Sequence, residues 1–347
     1  MRRGVCLLVA VALFFCSCER RPLFDPEEAA VIKVRLVTDS IKNVTCNIYN
    51  PDVERPAITS DMLRVLIYDP SGAPVLSQGF ISNKIVDDDG YEVINGPVEI
   101  TAGYYKVLSY NFDLDYTRVT DEYNFSAVRA HTIEVPSTFK TRFGTRADDL
   151  GPVYYPPEHV MVARDPSLHA YPHDGILSIE MDAFTVVDTY YIQIPITGSD
   201  YMAQNAAGQA VLSGLSPYNF IGENVRESDT FSSVYFELKR GTDPHAPQGE
   251  NNNVLCAVFN TFGKIPDVDS ELTITLSVLT KDGQTHQKVI DMNPIFDTED
   301  ARKRHWLLID EVWELPEPIV DGSGGGLIPS VDDWGDIEET IPIGPGR

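Results

Sequence analysis

Alternation of apolar and polar side chains over short segments is the feature that most constrains the fold of this sequence. Residues 32–36 (IKVRL) and 272–278 (LTITLSV) alternate strictly, and a turn at residues 281–284 leads from the second of these into another alternating segment. A period of two puts every second side chain on one face, as in a β-strand with one buried side. No segment keeps the helical period over three turns, so the pattern predicts an all-β fold.

The composition is that of a globular, strongly acidic protein. Hydrophobic residues make up 43% of the 347 residues, and 27 Lys and Arg stand against 52 Asp and Glu, which gives a formal net charge of -25. Nucleic-acid binding and electrostatic docking to anionic lipid both need clustered cations, so this charge balance argues against either function.

The first residues indicate an export signal that ends in a lipidation site. Two arginines precede an apolar run over residues 5–15, whose length of about eleven residues suits a signal peptide and is too short for a membrane-spanning helix. Small residues then lead to Cys18, an arrangement that resembles a bacterial lipobox, with cleavage before Cys18 and acylation of its sulfur. Cys16 is a second candidate, but Phe15 before it is too bulky for the cleavage pocket. An ordinary secretory signal cut elsewhere is the alternative; the lipobox interpretation predicts a lipid-anchored outer-membrane protein on the cell surface.

Composition divides the mature chain into two β domains and a tail. Residues 141–175 are rich in Pro, Gly, Tyr, Asp and His and predict a crossing loop with a domain boundary near residue 170, whereas residues 322–326 predict a flexible linker. The predicted organisation is a signal peptide at 1–17, a tether at 18–30, β-sandwich domains at 31–170 and 171–317, and a glycine-rich linker with a strand-like tail at 318–347. A strand-like segment on a glycine tether can pair with the sheet of its own chain or with the edge of another.

The sequence contains no catalytic motif. No G-x-S-x-G, P-loop, H-E-x-x-H or G-x-G-x-x-G pattern occurs, and no Cys/His set has zinc spacing. The acidic segments at residues 87–90 and 113–115 resemble fragments of calcium loops but lack the about twelve-residue spacing with a terminal Glu, so solvated turns are expected. Cys46 and Cys256 each lie in an apolar strand pattern, which predicts small core residues in place of a disulfide. No enzyme activity, metal or cofactor is therefore predicted.

Adjacent tyrosines are candidate binding groups. In an extended chain, Tyr190 and Tyr191 would place one ring in the core and the other on the outer face, and the same holds for Tyr154 and Tyr155. Exposed rings stack on sugars, so Tyr154, Tyr155 and Tyr218 are the residues expected to contact a glycan if the chain binds one. Packing at the rim of the core is the alternative.

Several short motifs resemble the fimbrillin-like lipoproteins of Bacteroidetes bacteria, a family of fimbrial subunits and adhesins. The lipobox is followed by a polar segment, and residues 65–72 (VLIYDPSG) look like the family's strand-turn segment. Residues 100–111 (ITAGYYKVLSYN), 211–216 (VLSGLS) and 332–336 (DDWGD) are similar to its Gly-Tyr-Tyr strand, its second-domain turn and its tail. The resemblance covers most of the mature chain.

This resemblance implies two transthyretin-like β-sandwich domains in tandem after a lipoprotein signal peptide. In polymerising members, an arginine-directed protease removes the first strand, and the groove accepts a strand from the C-terminal tail of a neighbouring subunit. The candidate donor residues here are Val331, Trp334, Ile337, Ile341 and Ile343, with Pro342 interrupting the ladder. The candidate processing residues are Arg20, Arg21, Arg35 and Arg55.

The resulting hypothesis is a lipid-anchored cell-surface fimbrial subunit or accessory adhesin that assembles by β-strand donation and has no enzymatic activity. Its expected partners are the outer membrane through the lipid anchor, other fimbrial subunits, and host or microbial surface glycans or proteins, but no nucleic acid. The alternatives are a monomeric glycan-binding surface lipoprotein of a polysaccharide-uptake system and a calcium-dependent hydrolase.

Overall fold

The computed structural model describes residues 29–37, 49–53, 58, 60–112, 114–136, 152–171, 176–204, 207–265 and 272–319. The strands of its first half are β1 (Ala29–Leu36), β2 (Leu63–Tyr68), β3 (Val75–Ile81), β4 (Asn83–Val86), β5 (Glu92–Glu99), β6 (Gly103–Asn111), β7 (Thr117–Thr120), β8 (Arg129–Thr132), β9 (Val153–Tyr154), β10 (Met161–Ala170) and β11 (Leu177–Thr185). The second half contains β12 (Asp188–Thr197), β13 (Gly208–Leu215), β14 (Tyr218–Phe220), β15 (Val225–Arg226), β16 (Ser232–Thr242), β17 (Asn253–Thr261), β18 (Thr273–Leu279), β19 (Thr285–Asp291), helices α1 (Asn293–Phe296) and α2 (Glu299–Arg304), and then β20 (Trp306–Leu308) and β21 (Trp313–Glu314). A short 3-10 turn lies at Ser199–Tyr201.

Among the described residues, the first sheet has the strand order β3-β2-β6-β10-β11-β1-β5-β4. Its outermost strands, β3 and β4, follow each other along the chain, and β3 also contacts β5, so the sheet curls over its own apolar face. Ile32, Val65 and Val107 lie in the core that this curl encloses, and each has at most 1% of its surface exposed. The strand β1 is therefore an interior strand of the first sheet.

The second sheet has the order β19-β18-β13-β16-β17-β12-β20 in the described part of the chain, with β21 paired to β12 and β9 paired to β16. Its core includes Ile192 and Leu212, which are fully buried, and the stacked rings of Phe236 and Phe259, whose centroids lie 4.1 Å apart. The short helices α1 and α2 contribute Phe296 and Ala301 to the same core and so cover its end.

A smaller sheet joins the two large ones. Its order is β15-β14-β8-β7 among the described residues, so it combines strands from both halves of the chain. The hairpin β14–β15 emerges from the second sheet, and β14 pairs antiparallel with β8, opposite Ala130 at Asn219. This shared sheet covers the outer face of the first sheet, where Leu108, Tyr110 and Phe125 are buried. The two large sheets are thus connected by paired strands as well as by the chain.

The structure confirms several predictions and corrects two. The all-β fold is confirmed, as are the hairpins β2–β3 and β18–β19, and Cys256 is a buried free thiol of the core. The domain limits stay predictions. The expected crossing loop at residues 141–175 is wrong in part, because β9 and β10 lie within it and β10 pairs with β6 and β11. The chain changes sheet between β11, which pairs with β1 in the first sheet, and β12, which belongs to the second. The expectation of one exposed ring in Tyr190-Tyr191 is wrong, because the two residues are 7% and 0% exposed. Residues 49–53 cover the outer face of the second sheet at Tyr191.

Candidate strand-pairing groove

The strand β1 fills a slot between β5 and β11, which we call the β1 groove. It runs antiparallel to β5 and parallel to β11, with Val34 opposite Ile94 on one side and Met181 on the other. The inward side chains Ile32, Val34 and Leu36 are at most 2% exposed. Burial of each such side chain contributes about 1.5–3 kcal/mol. The groove therefore holds its strand by backbone pairing on both edges and by alternate apolar side chains.

On the outer face, two ion pairs join β1 to β11. Lys33 Nζ lies 3.2 Å from Glu180 Oε1, and the Arg35 guanidinium donates from Nε and Nη2 to Asp182 at 2.7 and 2.9 Å. The hydrogen bond from Arg35 holds the pKa of the Asp182 carboxyl below its usual range. The guanidinium also lies 4.9 Å from the centre of the Tyr91 ring. These pairs select one register, because a shift by one residue would turn both cations into the core.

A cleft of about 500 Å³ lies over this face of β1. Its charged lining residues are Lys33, Arg35, Asp87, Asp89, Glu180 and Asp182, and its apolar ones are Ile85, Val93 and Met181. Both cations of the lining belong to β1, whereas the four carboxylates come from β11 and from the turn between β4 and β5. Without β1, the cleft would present only negative charge.

The chain that follows β1 is attached to the second sheet. The Tyr49 ring packs against Tyr191 and Trp306 with centroids 5.5 and 4.9 Å apart, and Asn50 Nδ2 lies 3.3 Å from the Tyr191 hydroxyl. The backbone carbonyl of Tyr49 lies 3.0 Å from His245 Nε2. The connection between β1 and β2 therefore contacts the second sheet before it returns to the first.

A buried histidine lies where the chain passes from the first sheet to the second. His159 is 6% exposed, and its Nδ1 lies 3.1 Å from Thr185 Oγ1, at the end of β11. Its Nε2 lies 3.2 Å from Thr189 Oγ1, at the start of β12. Burial lowers the pKa of His159 to about 4 from the ordinary 6.5, so the ring is neutral at pH 7 and connects the two strands by hydrogen bonds.

Acidification should weaken the fold through this histidine. The unfolded chain binds a proton at His159 below pH 6.5, whereas the folded chain does so only near pH 4. The stabilisation of the fold by the neutral ring is therefore complete above pH 6.5, and it is lost as the pH falls toward 4. Between pH 7 and 4.5 the loss should be about 2–3 kcal/mol of unfolding free energy. Urea unfolding of the wild-type and His159→Asn chains at both pH values isolates this contribution. Equal pH dependence of the two chains would contradict it.

The predicted site residues are only partly within the described structure. Arg35 lies inside β1, paired with β5 and β11, so a protease reaches its peptide bond only after β1 leaves the sheet. Cys18, Arg20, Arg21, Arg55 and the tail residues Val331, Trp334, Ile337, Ile341 and Ile343 lie outside the described residues, and their roles stay predictions. Within the described residues, no group of three or more His, Cys, Asp and Glu side chains could hold a metal ion.

The candidate sugar-stacking tyrosines have protein contacts. Tyr155 packs against a buried cluster of the second sheet, and its ring stacks on Tyr116 with centroids 4.6 Å apart. The Tyr218 ring lies 5.0 Å from the Arg129 guanidinium, and its hydroxyl donates to Glu227 at 2.5 Å. Two exposed rings that no sequence motif points to, Phe80 and Phe112, lie over another cleft of about 280 Å³.

Comparison with known proteins supports the resemblance found in the short motifs. No family model matches the chain. A Bacteroides ovatus protein named as a fimbrium anchoring subunit, Fim4B, is 21% identical over 365 aligned positions, covering 96% of each chain. The crystal structure of a Bacteroides ovatus protein described as an adhesin matches with a TM-score of 0.55 and 17% identity, covering 87% of this chain and 98% of that one. The fimbrial anchor protein Mfa2 of Porphyromonas gingivalis matches with a TM-score of 0.46 and 12% identity over 81% of this chain and 87% of its own.

These comparisons establish the fold and the kind of protein that the chain resembles. The adhesin structure shares the fold of this chain, and the similarity to fimbrial proteins of Bacteroidetes is confirmed. Fim4B is named for fimbrium anchoring and the TM-score 0.55 structure for adhesion, and neither is named for an enzyme activity, in agreement with the predicted lack of catalysis. Within the described residues, no helix combines the length and the apolar character needed to cross a membrane.

Proposed function

We propose that this chain, a relative of Bacteroidetes fimbrial anchoring subunits, is a lipid-anchored cell-surface fimbrial subunit or accessory adhesin that assembles by β-strand donation. In this proposal Cys18 carries the lipid, and residues 331–343 are the strand given to a partner subunit. The similarity to Fim4B along 96% of both chains supports an anchoring role.

The observation that carries the proposal is the position of β1. A strand held by backbone pairing on both edges and by alternate apolar side chains occupies a slot that another strand with alternate apolar side chains can fill. The tail has a similar pattern, with Ile337, Ile341 and Ile343 on one side of an extended chain and Glu339 interrupting them on that side. A partner with an open slot of this kind would accept those side chains.

The proposed lipid lies close to the fold along the chain. Ten residues lie between Cys18 and Ala29, the first residue of β1, so the two positions are at most about 40 Å apart in a fully extended chain. Because β1 is an interior strand and residues 49–53 contact the second sheet, a load on the lipid would reach both sheets. This is the connection that an anchoring subunit requires.

Proteolysis at the candidate arginines would have different consequences. Cleavage after Arg20 or Arg21 separates the lipid from the fold and leaves β1 in its groove. Cleavage after Arg55 leaves both β1 and residues 49–53 held by non-covalent contacts. A subunit that keeps β1 and the lipid together must therefore escape cleavage before β1.

Deletion of residues 331–347 should abolish assembly with partner subunits, because the deletion removes the proposed donor strand. The measurement is co-purification of fimbrial subunits with the tagged chain from the outer membrane of the native host. The variant should still fractionate with the membrane, since Cys18 is unchanged, and this separates assembly from anchoring.

Two point variants make the same test without a truncation. Ile341→Asp replaces an apolar side chain on the inward side of the proposed strand by a second carboxylate beside Glu339 and should prevent assembly. Thr340→Ser changes an outward position and should leave assembly intact. Normal assembly of the deletion variant would refute strand donation by the tail.

A further inference from the structure

The outer face of β1 and the outer face of the tail carry opposite charges. In β1 the outward residues Lys33 and Arg35 are two positions apart and pair with Glu180 and Asp182. If Ile337, Ile341 and Ile343 point inward in the tail, the outward residues of segment 331–343 are Asp332, Trp334, Asp336, Glu338, Thr340 and Pro342. A tail in place of β1 would thus bring acidic residues to a face that holds carboxylates.

No change of register or direction removes this mismatch. Residues 306–346 contain no Lys, Arg or His, so no placement of the tail segment 331–343 brings a cation opposite Glu180 or Asp182. The isoleucine face places one carboxylate, Glu339, inward among three isoleucines, whereas pointing the other face inward would bury Asp336 and Glu338 and expose all three isoleucines, which costs more. Asp87 and Asp89 add two further carboxylates to the same cleft.

The two ion pairs contribute more to the choice between competing strands than to the stability of the fold. The side chains of the two ion pairs are 36–71% exposed, and exposed pairs of this kind contribute about 0.2–1 kcal/mol each. A strand that loses both pairs and adds like charges suffers both penalties together. Like charges directly opposite each other in a sheet are destabilising, and such repulsion is a common source of specificity between similar partners.

We propose that charge on the outer face of the β1 groove decides which strand can fill it. The groove accepts a strand with cations at two alternate outward positions and rejects the acidic tail of a second copy of this chain. This inference rests on the proposed donation of the tail and names its partner: a different subunit, whose groove lacks a wall of carboxylates. The chain then joins others as a donor without forming a polymer of itself.

A strand-exchange experiment tests this proposal. A protease recognition sequence inserted in the connection between residue 37 and residue 49 of the full chain is cleaved, which frees β1 to exchange in mild denaturant. Labelled peptides of residues 29–37, of residues 331–347, and of residues 331–347 with Glu338→Lys and Thr340→Arg are then added separately. The first and third peptides should enter the groove at least about tenfold more tightly than the native tail.

The reciprocal change supplies an independent measurement. In the cleaved chain with Glu180→Lys and Asp182→Lys, the native tail should bind more tightly than in the wild-type groove, and the peptide of residues 29–37 should bind less tightly. Both differences should shrink at high salt, because the charged groups are exposed. A tail peptide with Ile341→Asp should bind to none of these grooves. This control tests whether entry depends on the inward side chains.

Two results would overturn the inference. One is a native tail that enters the wild-type groove as tightly as the peptide of residues 29–37. The other is a cationic tail that enters no better than the native tail. Neither result bears on co-purification of the deletion variant with partner subunits, so failure of this inference and failure of the proposed function are distinguishable.

Discussion

Replacement of Gly222 by alanine should destabilise the chain by about 3 kcal/mol or more, an effect at the upper end of those expected from overpacking. A Cβ atom at this position would lie 1.9 Å from the backbone carbonyl oxygen of Phe125. The clash cannot be relieved by a side-chain rotation, because the nearest atom belongs to the backbone of the other half of the chain. The shared sheet must separate locally to accept the new methyl group.

The contacts around Gly222 explain why the substitution should destabilise more than its own turn. The carbonyl of Gly222 accepts a hydrogen bond from Arg164 Nη1 at 2.9 Å, and the neighbouring Ile221 amide donates to Val128 at 2.9 Å. Ile221 itself is fully buried against the outer face of the first sheet. Movement of this backbone therefore breaks hydrogen bonds and opens a core between the two halves.

Thermal and urea unfolding measure the effect, with Gly79→Ala as the matched control. Gly79 lies in the edge strand β3, and a Cβ atom there would meet nothing within 4 Å. The control should change stability by less than about 1 kcal/mol, because it only alters backbone entropy and local propensity. Equal stability of the two variants would mean that the shared sheet does not hold the halves together.

The local parts of this fold were predictable because their signals are local. The hairpin β2–β3 follows from alternating segments around an Asp-Pro-Ser-Gly turn at residues 69–72, and β18–β19 follows from a similar pattern. The buried state of Cys256 follows from its apolar neighbours in β17. In each case the decisive residues lie within about a dozen positions of one another.

The candidate groove depends on pairing across the sequence, which alternation does not encode. β1 pairs with β11 although Arg35 and Asp182 are 147 positions apart. The sequence contains one weak sign of this pairing: Lys33 and Arg35 have the same spacing as Glu180 and Asp182 and carry the opposite charge. Many acidic pairs in this chain have that spacing, so one sequence alone does not select the right one.

Pairing across the sequence also explains why the ring of Tyr191 is buried although the pattern of its strand predicts exposure. Its strand, β12, shows the alternation of a half-exposed strand, but residues 49–53 arrive from 141 positions away, where Asn50 contacts the Tyr191 hydroxyl. The shared sheet was missed likewise, because β14 and β15 are strands of three and two residues whose partner β8 lies in the other half. Short strands stabilised by distant partners carry too few residues for a pattern.

The replacement Ile32→Asp should expel β1 from its groove at a cost of more than about 4 kcal/mol, because it buries a charge with no partner in the core of the first sheet. Ile32 is fully buried and lies between Ile179 and Gly96 in the ladder. Once β1 leaves, Arg35 lies in an unpaired segment. An arginine-specific protease should then cut after Arg35 in the variant and leave this bond intact in the wild-type chain.

Tryptophan fluorescence shows whether the second sheet survives this change. Trp306 and Trp313 both belong to the second sheet, and the remaining tryptophan, Trp334, lies in the tail. Wild-type emission from the Ile32→Asp chain, together with cleavage after Arg35, would place the damage in the first sheet alone. The matched control is Lys33→Gln in the same strand, which removes one exposed ion pair and should cost less than about 1 kcal/mol. Resistance of the Ile32→Asp chain to cleavage at Arg35 would mean that β1 is held mainly by its backbone ladders and its outer charges, and that the apolar side chains do not decide which strand occupies the groove.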